Sequence, residues 1–182
     1  MDKINADASL EDKKASLLAQ LPLARGRRFS DTWLAFNTLI DEGMLQRLEL
    51  FPVDSMKIRE KIRTAIIARL KELEPYKNLI KESTKHTLCP HYGASHLKAT
   101  WGTCNVIWYW AGDKSTDFNH YTKRSLLAII AAKIYAQWLR APQTNWPELE
   151  SSTEKLIDHV MKIPRLKSKV TGLFSSLFKR DG

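Results

Sequence analysis

The sequence predicts an all-α protein, and three observations carry that prediction. Apolar residues recur at three- and four-residue spacing along most of the 182 residues. No run of alternating β-branched and polar residues argues for a sheet. Pro22, Gly43, Pro52, Pro75, Pro90 and Pro164 fall between the periodic stretches, where they end or start helices. The length suits one domain with appendages. Twenty-nine Lys and Arg against 20 Asp and Glu give +9, which favours an anionic partner, either nucleic acid or a phospholipid surface. Cys89 and Cys104 are too few for a disulfide framework and read as small buried groups in a reducing compartment.

Residues 1–11 alternate acidic, basic and small side chains and are expected to form a disordered lead. The first 15 residues have neither the apolar segment of a secretory signal nor the Arg-rich, acid-poor character of a transit peptide. A first helix is expected from Asp12 to Leu21. A second should start at Ser30, whose hydroxyl can cap the next amides, and end at Gly43 as a left-handed C-cap. A short third one, Met44 to Leu50, precedes Phe51-Pro52. Three short helices over 12–55 predict a reduced helix-turn-helix-like head, and the longer helices of 56–163 would then be a TetR-like body. In that body Met56 to Leu73 places Ile58, Ile62, Ala65, Ile66, Leu70 and Leu73 on one face, with Lys57, Arg59, Arg63 and Lys71 in water. Pro75 opens the next helix, with Tyr76, Leu79 and Ile80 apolar.

From about Ser95 to Trp110 the chain is apolar on two sides. One stripe holds Leu97, Trp101, Cys104 and Trp108; the other holds Ala99, Gly102, Val106 and Trp110. Such a helix is either a central core element, or packs with one face and offers the other to a ligand cavity or a partner. Ala111-Gly112-Asp113 reads as a turn, with Ser115, Thr116 or Asp117 capping a long helix that ends near Arg140. On it Leu127, Ile130, Ile134 and Trp138 supply bulk, while Ser125, Ala128, Ala132 and Ala136 form a small-residue stripe. That stripe serves close helix packing or leaves room for a long lipid tail. His86, Cys89, His91 and His96 lack the ligand pairing of a zinc site. Neither a phosphate loop nor a nucleophile motif is encoded. We therefore expect no metal, cofactor or catalytic residue.

The stretch Trp108 to Arg124, WYWAGDKSTDFNHYTKR, is too irregular to follow from helix periodicity. It resembles the W-x-x-AGD-x-STDFN-x-YTKR signature of the Coq-nine family, lipid-binding accessory proteins of ubiquinone biosynthesis. The resemblance implies a TetR-like fold and a non-catalytic, dimeric protein that binds an isoprenoid quinone precursor and presents it to the di-iron demethoxyubiquinone hydroxylase. It also implies a partner patch centred on Trp108 with Trp101, Asn105 and Tyr109, and it favours Val106, Trp110, Leu127, Ile130, Ile134 and Trp138 as lipid-binding residues.

Residues 164–182 form the second strong feature. Leu166, Val170, Leu173, Phe174, Leu177 and Phe178 make an apolar stripe, while Lys167, Lys169, Lys179 and Arg180 sit among Ser and Thr with no acid between Lys162 and Arg180. This is the pattern of an interfacial amphipathic helix on an anionic membrane, and the family resemblance implies the same use. A packed last helix or a dimer seam would share the pattern. The chain has no 18 consecutive apolar residues, so membrane contact would be peripheral. The expected place is the cytoplasmic face of a bacterial inner membrane, or the matrix side of the mitochondrial inner membrane in a eukaryote. The rival reading is a TetR-type DNA-binding regulator, favoured by the +9 charge. Its recognition element is poor, since Met44–Phe51 offers only Gln46 and Arg47 to base edges beside Glu49.

Overall fold

The computed structural model describes residues 2–21, 26–84, 90–116 and 118–161. Among these the chain forms seven α-helices, two short 3-10 turns and no strand. The helices are α1 (Asp2–Gln20), α2 (Gly26–Leu48), α3 (Ile58–Leu73), α4 (Lys77–Thr84), α5 (Pro90–Trp110), α6 (Phe118–Arg140) and α7 (Trp146–Met161). The all-α class is as expected. Two compact units divide between Asp113 and Lys114.

In the first unit α1, α3 and α5 all pack on α2, and α5 also meets α3. The spacing of Phe29, Trp33, Phe36, Ile40, Met44 and Leu48 puts one apolar face along the whole of α2, and all six are buried. The expected face of α3 is buried at Ile62, Ala65, Ile66, Leu70 and Leu73, while Ile58 stays exposed. Phe36 meets Trp33 at 5.9 Å and Tyr76 edge-on at 5.6 Å between ring centroids.

The N-terminal expectations need correction. Residues 2–11 are not an irregular lead but the first turns of α1; Ala6, Ala8 and Leu10 are good helix formers. The break expected at Gly43 is absent, and α2 runs on to Leu48. Gly43 does not adopt a positive φ. Its missing side chain instead admits Glu72 and Lys14: a Cβ at Gly43 would press on the Glu72 carboxylate and come within 3.0 Å of Lys14 Nζ. The backbone bend that starts α2 falls at Gly26, with φ of 55°, so Ser30 lies inside the helix and does not cap it. Met44–Leu50 is therefore no separate recognition helix. Residues 12–55 form the end of α1, α2 and a 3-10 turn, and they share one core with α3 and α5.

In the second unit α6 and α7 pack on one another. Asn145 starts α7 by accepting the Glu148 amide on Oδ1 at 3.3 Å. Gln137 Nε2 of α6 donates to Ser152 Oγ of α7 at 3.2 Å. Leu127, Ile130, Ile134 and Trp138 of α6 are buried, as are Leu149, Thr153 and Ile157 of α7.

Candidate functional site

The candidate site is built on α5, and the first unit holds that helix at three levels. Near its start Ser95 Oγ donates to Ser30 Oγ at 2.8 Å, and the His96 ring lies 4.4 Å from the Trp33 ring and 6.3 Å from Phe29. Burial holds the His96 imidazole below its ordinary pKa. In the middle, Thr103 Oγ1 donates to the Asp41 carboxylate at 2.9 and 3.1 Å. Arg69 Nε donates to the same carboxylate at 2.8 Å and its Nη2 to Asn37 Oδ1 at 2.7 Å. Asn37 Nδ2 in turn donates to the Trp33 carbonyl at 2.8 Å. All four side chains are buried, so the charge-assisted bonds compensate the burial of Asp41 and Arg69. At the end of α5, Lys61 Nζ donates to the Ala111 carbonyl at 3.3 Å, where a cation also suits the helix dipole.

Ala111-Gly112-Asp113 closes α5 as a Schellman motif, as the turn reading expected. The Gly112 amide donates to Tyr109 O at 3.0 Å and the Asp113 amide to Trp108 O at 2.9 Å. Gly112 has φ of 89°, a conformation that costs glycine least. The glycine of the AGD element thus fixes the backbone on which Trp108 and Tyr109 stand.

Two apolar stripes were read on α5, but the buried face runs between them: Ser95, Ala99, Thr103, Cys104, Ile107 and Ala111. The stripes are its two flanks. On one flank Trp101, Asn105 and Trp108 are half-buried, with Leu97 beside them 67 % exposed. On the other Val106 and Trp110 are half-buried, and Gly102 is exposed. Tyr109 points to water at 83 % exposure. The four expected partner-patch residues therefore share one side of a helix whose opposite side is fixed to the core.

The expected lipid-binding residues are divided between the units. Val106 and Trp110 belong to the first. In the second, Leu127, Ile130, Ile134 and Trp138 are almost completely enclosed, and Trp138 meets Tyr135 edge-on at 5.3 Å. Of the small-residue stripe Ser125, Ala128 and Ala136 are half-buried, and Ala132 is exposed. In the signature stretch His120 Nδ1 lies 3.1 Å from Ser115 O, and buried Arg124 donates to His120 O at 3.1 Å.

The entire expected membrane-contact set, Leu166 to Arg180, lies outside the described residues, as do His86, Cys89 and Asp117. Among the described residues no group of three or more His, Cys, Asp or Glu comes together to hold a metal, and no helix is long and apolar enough to cross a membrane.

Sequence reasoning missed the charges inside the first unit. Besides Asp41 and Arg69, Lys14 is fully buried and donates to Glu11 and Glu72, each at 2.7 Å. Arg47 Nε also donates to Glu72. Asn37 and Asp41 stand at i, i+4 along the apolar face of α2, and Arg69 interrupts the run Ala65–Leu70. A polar residue on an apolar stripe was the available signal.

A family model described as COQ9 matches residues 94–164. The ubiquinone biosynthesis protein COQ9, mitochondrial, of Homo sapiens is 34% identical over 93 residues, covering 51% of this chain and 29% of that protein. The protein of the same name from Bos taurus is 32% identical over 81 residues, 44% of this chain and 25% of its own length. That of Xenopus tropicalis is 36% identical over 66 residues, 36% and 21% respectively. The matched part of the chain spans less than a third of these relatives. The segment that contains most of α5, the AGD turn, α6 and α7 is thus similar to the COQ9 family model and to part of the COQ9 proteins.

Proposed function

We propose that this chain is a non-catalytic, lipid-binding accessory protein of ubiquinone biosynthesis. It shelters an isoprenoid quinone precursor at a membrane and presents it to the di-iron demethoxyubiquinone hydroxylase, which docks on Trp101, Asn105, Trp108 and Tyr109. The observation that carries this reading is the α5 face. Large aromatic side chains are left half-exposed or exposed on a helix held from behind by buried charge-assisted bonds. Such an arrangement is costly in water and suits a partner contact that buries aromatic residues. It lies inside the segment shared with proteins named for ubiquinone biosynthesis. Val106 and Trp110, with Leu127, Ile130, Ile134 and Trp138, are the apolar residues assigned to the lipid. The relatives are mitochondrial by name, which favours the matrix side of the mitochondrial inner membrane, with peripheral attachment through the tail and a homodimer as the working unit.

The DNA-regulator alternative has lost its recognition element, since Met44–Leu48 is the end of α2 and Arg47 pairs with Glu72. The test is titration of the hydroxylase with the wild-type chain and with Trp108→Ala. The variant should bind at least roughly tenfold more weakly, as for a tryptophan hot spot, with its unfolding midpoint little changed. Unaltered affinity would overturn the docking face. Mass spectrometry of lipids co-purified under mild conditions tests the cargo: enrichment of polyprenylated quinone precursors over a mock purification is expected, and none would remove the lipid from the reading.

A further inference from the structure

The turn between α2 and α3 exposes more apolar surface than a surface loop needs. Leu50 is 85 % exposed, Phe51 44 % and Ile58 41 %, and Pro52 between them is also exposed. The segment is well fixed. Phe51 N donates to Leu48 O at 3.1 Å, Val53 N to Phe51 O at 2.9 Å and Met56 N to Val53 O at 3.2 Å. Lys57 N donates to Glu60 Oε2 at 2.8 Å at the start of α3. The exposure of Leu50 and Phe51 is thus set by a hydrogen-bonded corner.

The surrounding charge is basic. From Arg47 to Arg63 the chain carries five cations and three carboxylates, and of the cations Arg47 is paired with Glu72. Glu60 is occupied by the Lys57 amide, and Lys57 and Arg59 are exposed beside Ile58. Three or four apolar side chains are too little for the roughly 800 Å² that a stable protein partner covers on each side. They are enough for interfacial insertion, where buried apolar groups and nearby cations both favour an anionic leaflet.

We infer that the α2–α3 corner is a membrane-contact site, in which Leu50, Phe51 and Ile58 enter the interface of an anionic phospholipid surface while Lys57 and Arg59 meet its headgroups. The contact is separate from the 164–182 tail and does not require it. Lys61, one turn after Ile58, reaches the Ala111 carbonyl. That bond brings the start of α3 to the end of α5, so the corner and the Trp108–Tyr109 end of the aromatic face lie at the same end of the first unit. A bilayer held at the corner would keep that face close to the membrane surface.

The experiment is flotation of the full chain with phosphatidylcholine vesicles, with and without phosphatidylserine. Leu50→Asp with Phe51→Asp should weaken partitioning roughly tenfold or more, whether or not the tail also binds, because the two contributions to the free energy add. Lys57→Ala with Arg59→Ala should weaken binding to the phosphatidylserine vesicles only. In the wild-type chain, amide hydrogens of residues 49–58 should exchange more slowly when vesicles are present; this reading needs no substitution. Wild-type partitioning by the double Asp variant, or unchanged exchange at 49–58, overturns the proposal. So does a change of sedimentation by the double Asp variant at unchanged vesicle binding, which would make the corner a contact between copies of the chain. Hydroxylase affinity is measured without vesicles, so failure of the docking reading is seen separately.

Discussion

The two units bury different things. In the first, α2 meets α1, α3 and α5 across a core that contains Lys14, Asp41, Arg69 and Glu72 among its aromatic and aliphatic side chains. In the second, α6 and α7 bury mainly Leu, Ile and Trp, and the one described buried cation, Arg124, bonds to a carbonyl of its own helix. An apolar core tolerates adjustment, whereas a buried ion pair accepts one register and one geometry. The contrast assigns a job to the costlier core. Asp41 and Arg69 tie α2 and α3 to the back of α5, so the buried charges of the first unit hold a surface in place.

The largest expected effect comes from breaking the first core at Glu72. Glu72→Ala leaves Lys14 buried without its partner on α3 and removes the acceptor of Arg47. It should cost about 3–5 kcal/mol, measured by urea unfolding, with faster hydrogen exchange in α1 and α2. Lys14→Met with Glu72→Leu should recover most of that loss, since both charges leave together. If the single and double variants lose the same stability, the ion pair is not what holds α1. In the second unit Leu127→Ala should cost about 2–5 kcal/mol through lost burial and a cavity. A loss below about 1 kcal/mol would mean that the α6 side chains can collapse or are not tightly packed.

Thr103→Val sharpens the comparison further. It keeps the shape of the side chain and removes the hydroxyl from Asp41, which retains Arg69. The expected loss is about 1.5–3 kcal/mol for a buried hydrogen bond to a charged group. If the proposed docking face is right, hydroxylase affinity should fall as well, because the bond positions the helix that bears Trp108. Stability loss with unchanged affinity would make Thr103 a packing residue only.

Legibility in the sequence followed the same division. The bulk expected on α6 is buried at all four positions, because an apolar stripe at helical spacing has one physical meaning when no charge competes with it. The AGD turn was also legible, since glycine at the end of an apolar helix marks a left-handed residue. Gly43 offered the same local signal and meant something else: room for two charged side chains from α1 and α3, a requirement set by residues far away in the chain. The tryptophans of α5 were found as stripes, but the face that turns inward runs between the stripes and is set by Asp41 and Ser30, which periodicity cannot supply. Leu50 and Phe51 escaped notice because a loop has no period.

The smallest expected effect is on pH dependence, and it separates the charged core from its histidine. Burial holds His96 below its ordinary pKa of 6.5, and its Nε2 is buried with no hydrogen-bond partner in the structure. The folded state therefore binds a proton less readily than the unfolded chain. By linkage this stabilisation is fully present above pH 6.5 and is lost as pH falls through the lowered folded value. Glu11 acts in the same direction at lower pH: burial raises its pKa, but the hydrogen bonds from Lys14 and Tyr76 outweigh this and hold the carboxyl below its ordinary 4.5. Stability from Glu11 is thus present above that value and lost on further acidification. Tyr76 marks the other end, since burial and the bond to Glu11 raise its pKa, so its contribution is present below pH 10 and lost as pH rises through the folded value. The unfolding midpoint of the wild-type chain should fall as pH drops below 6.5, and His96→Gln, which cannot titrate, should flatten that fall while leaving the acid limb of Glu11. Parallel pH profiles for the two proteins would show that another group titrates there, and that His96 takes no part in the coupling between pH and the α5 scaffold.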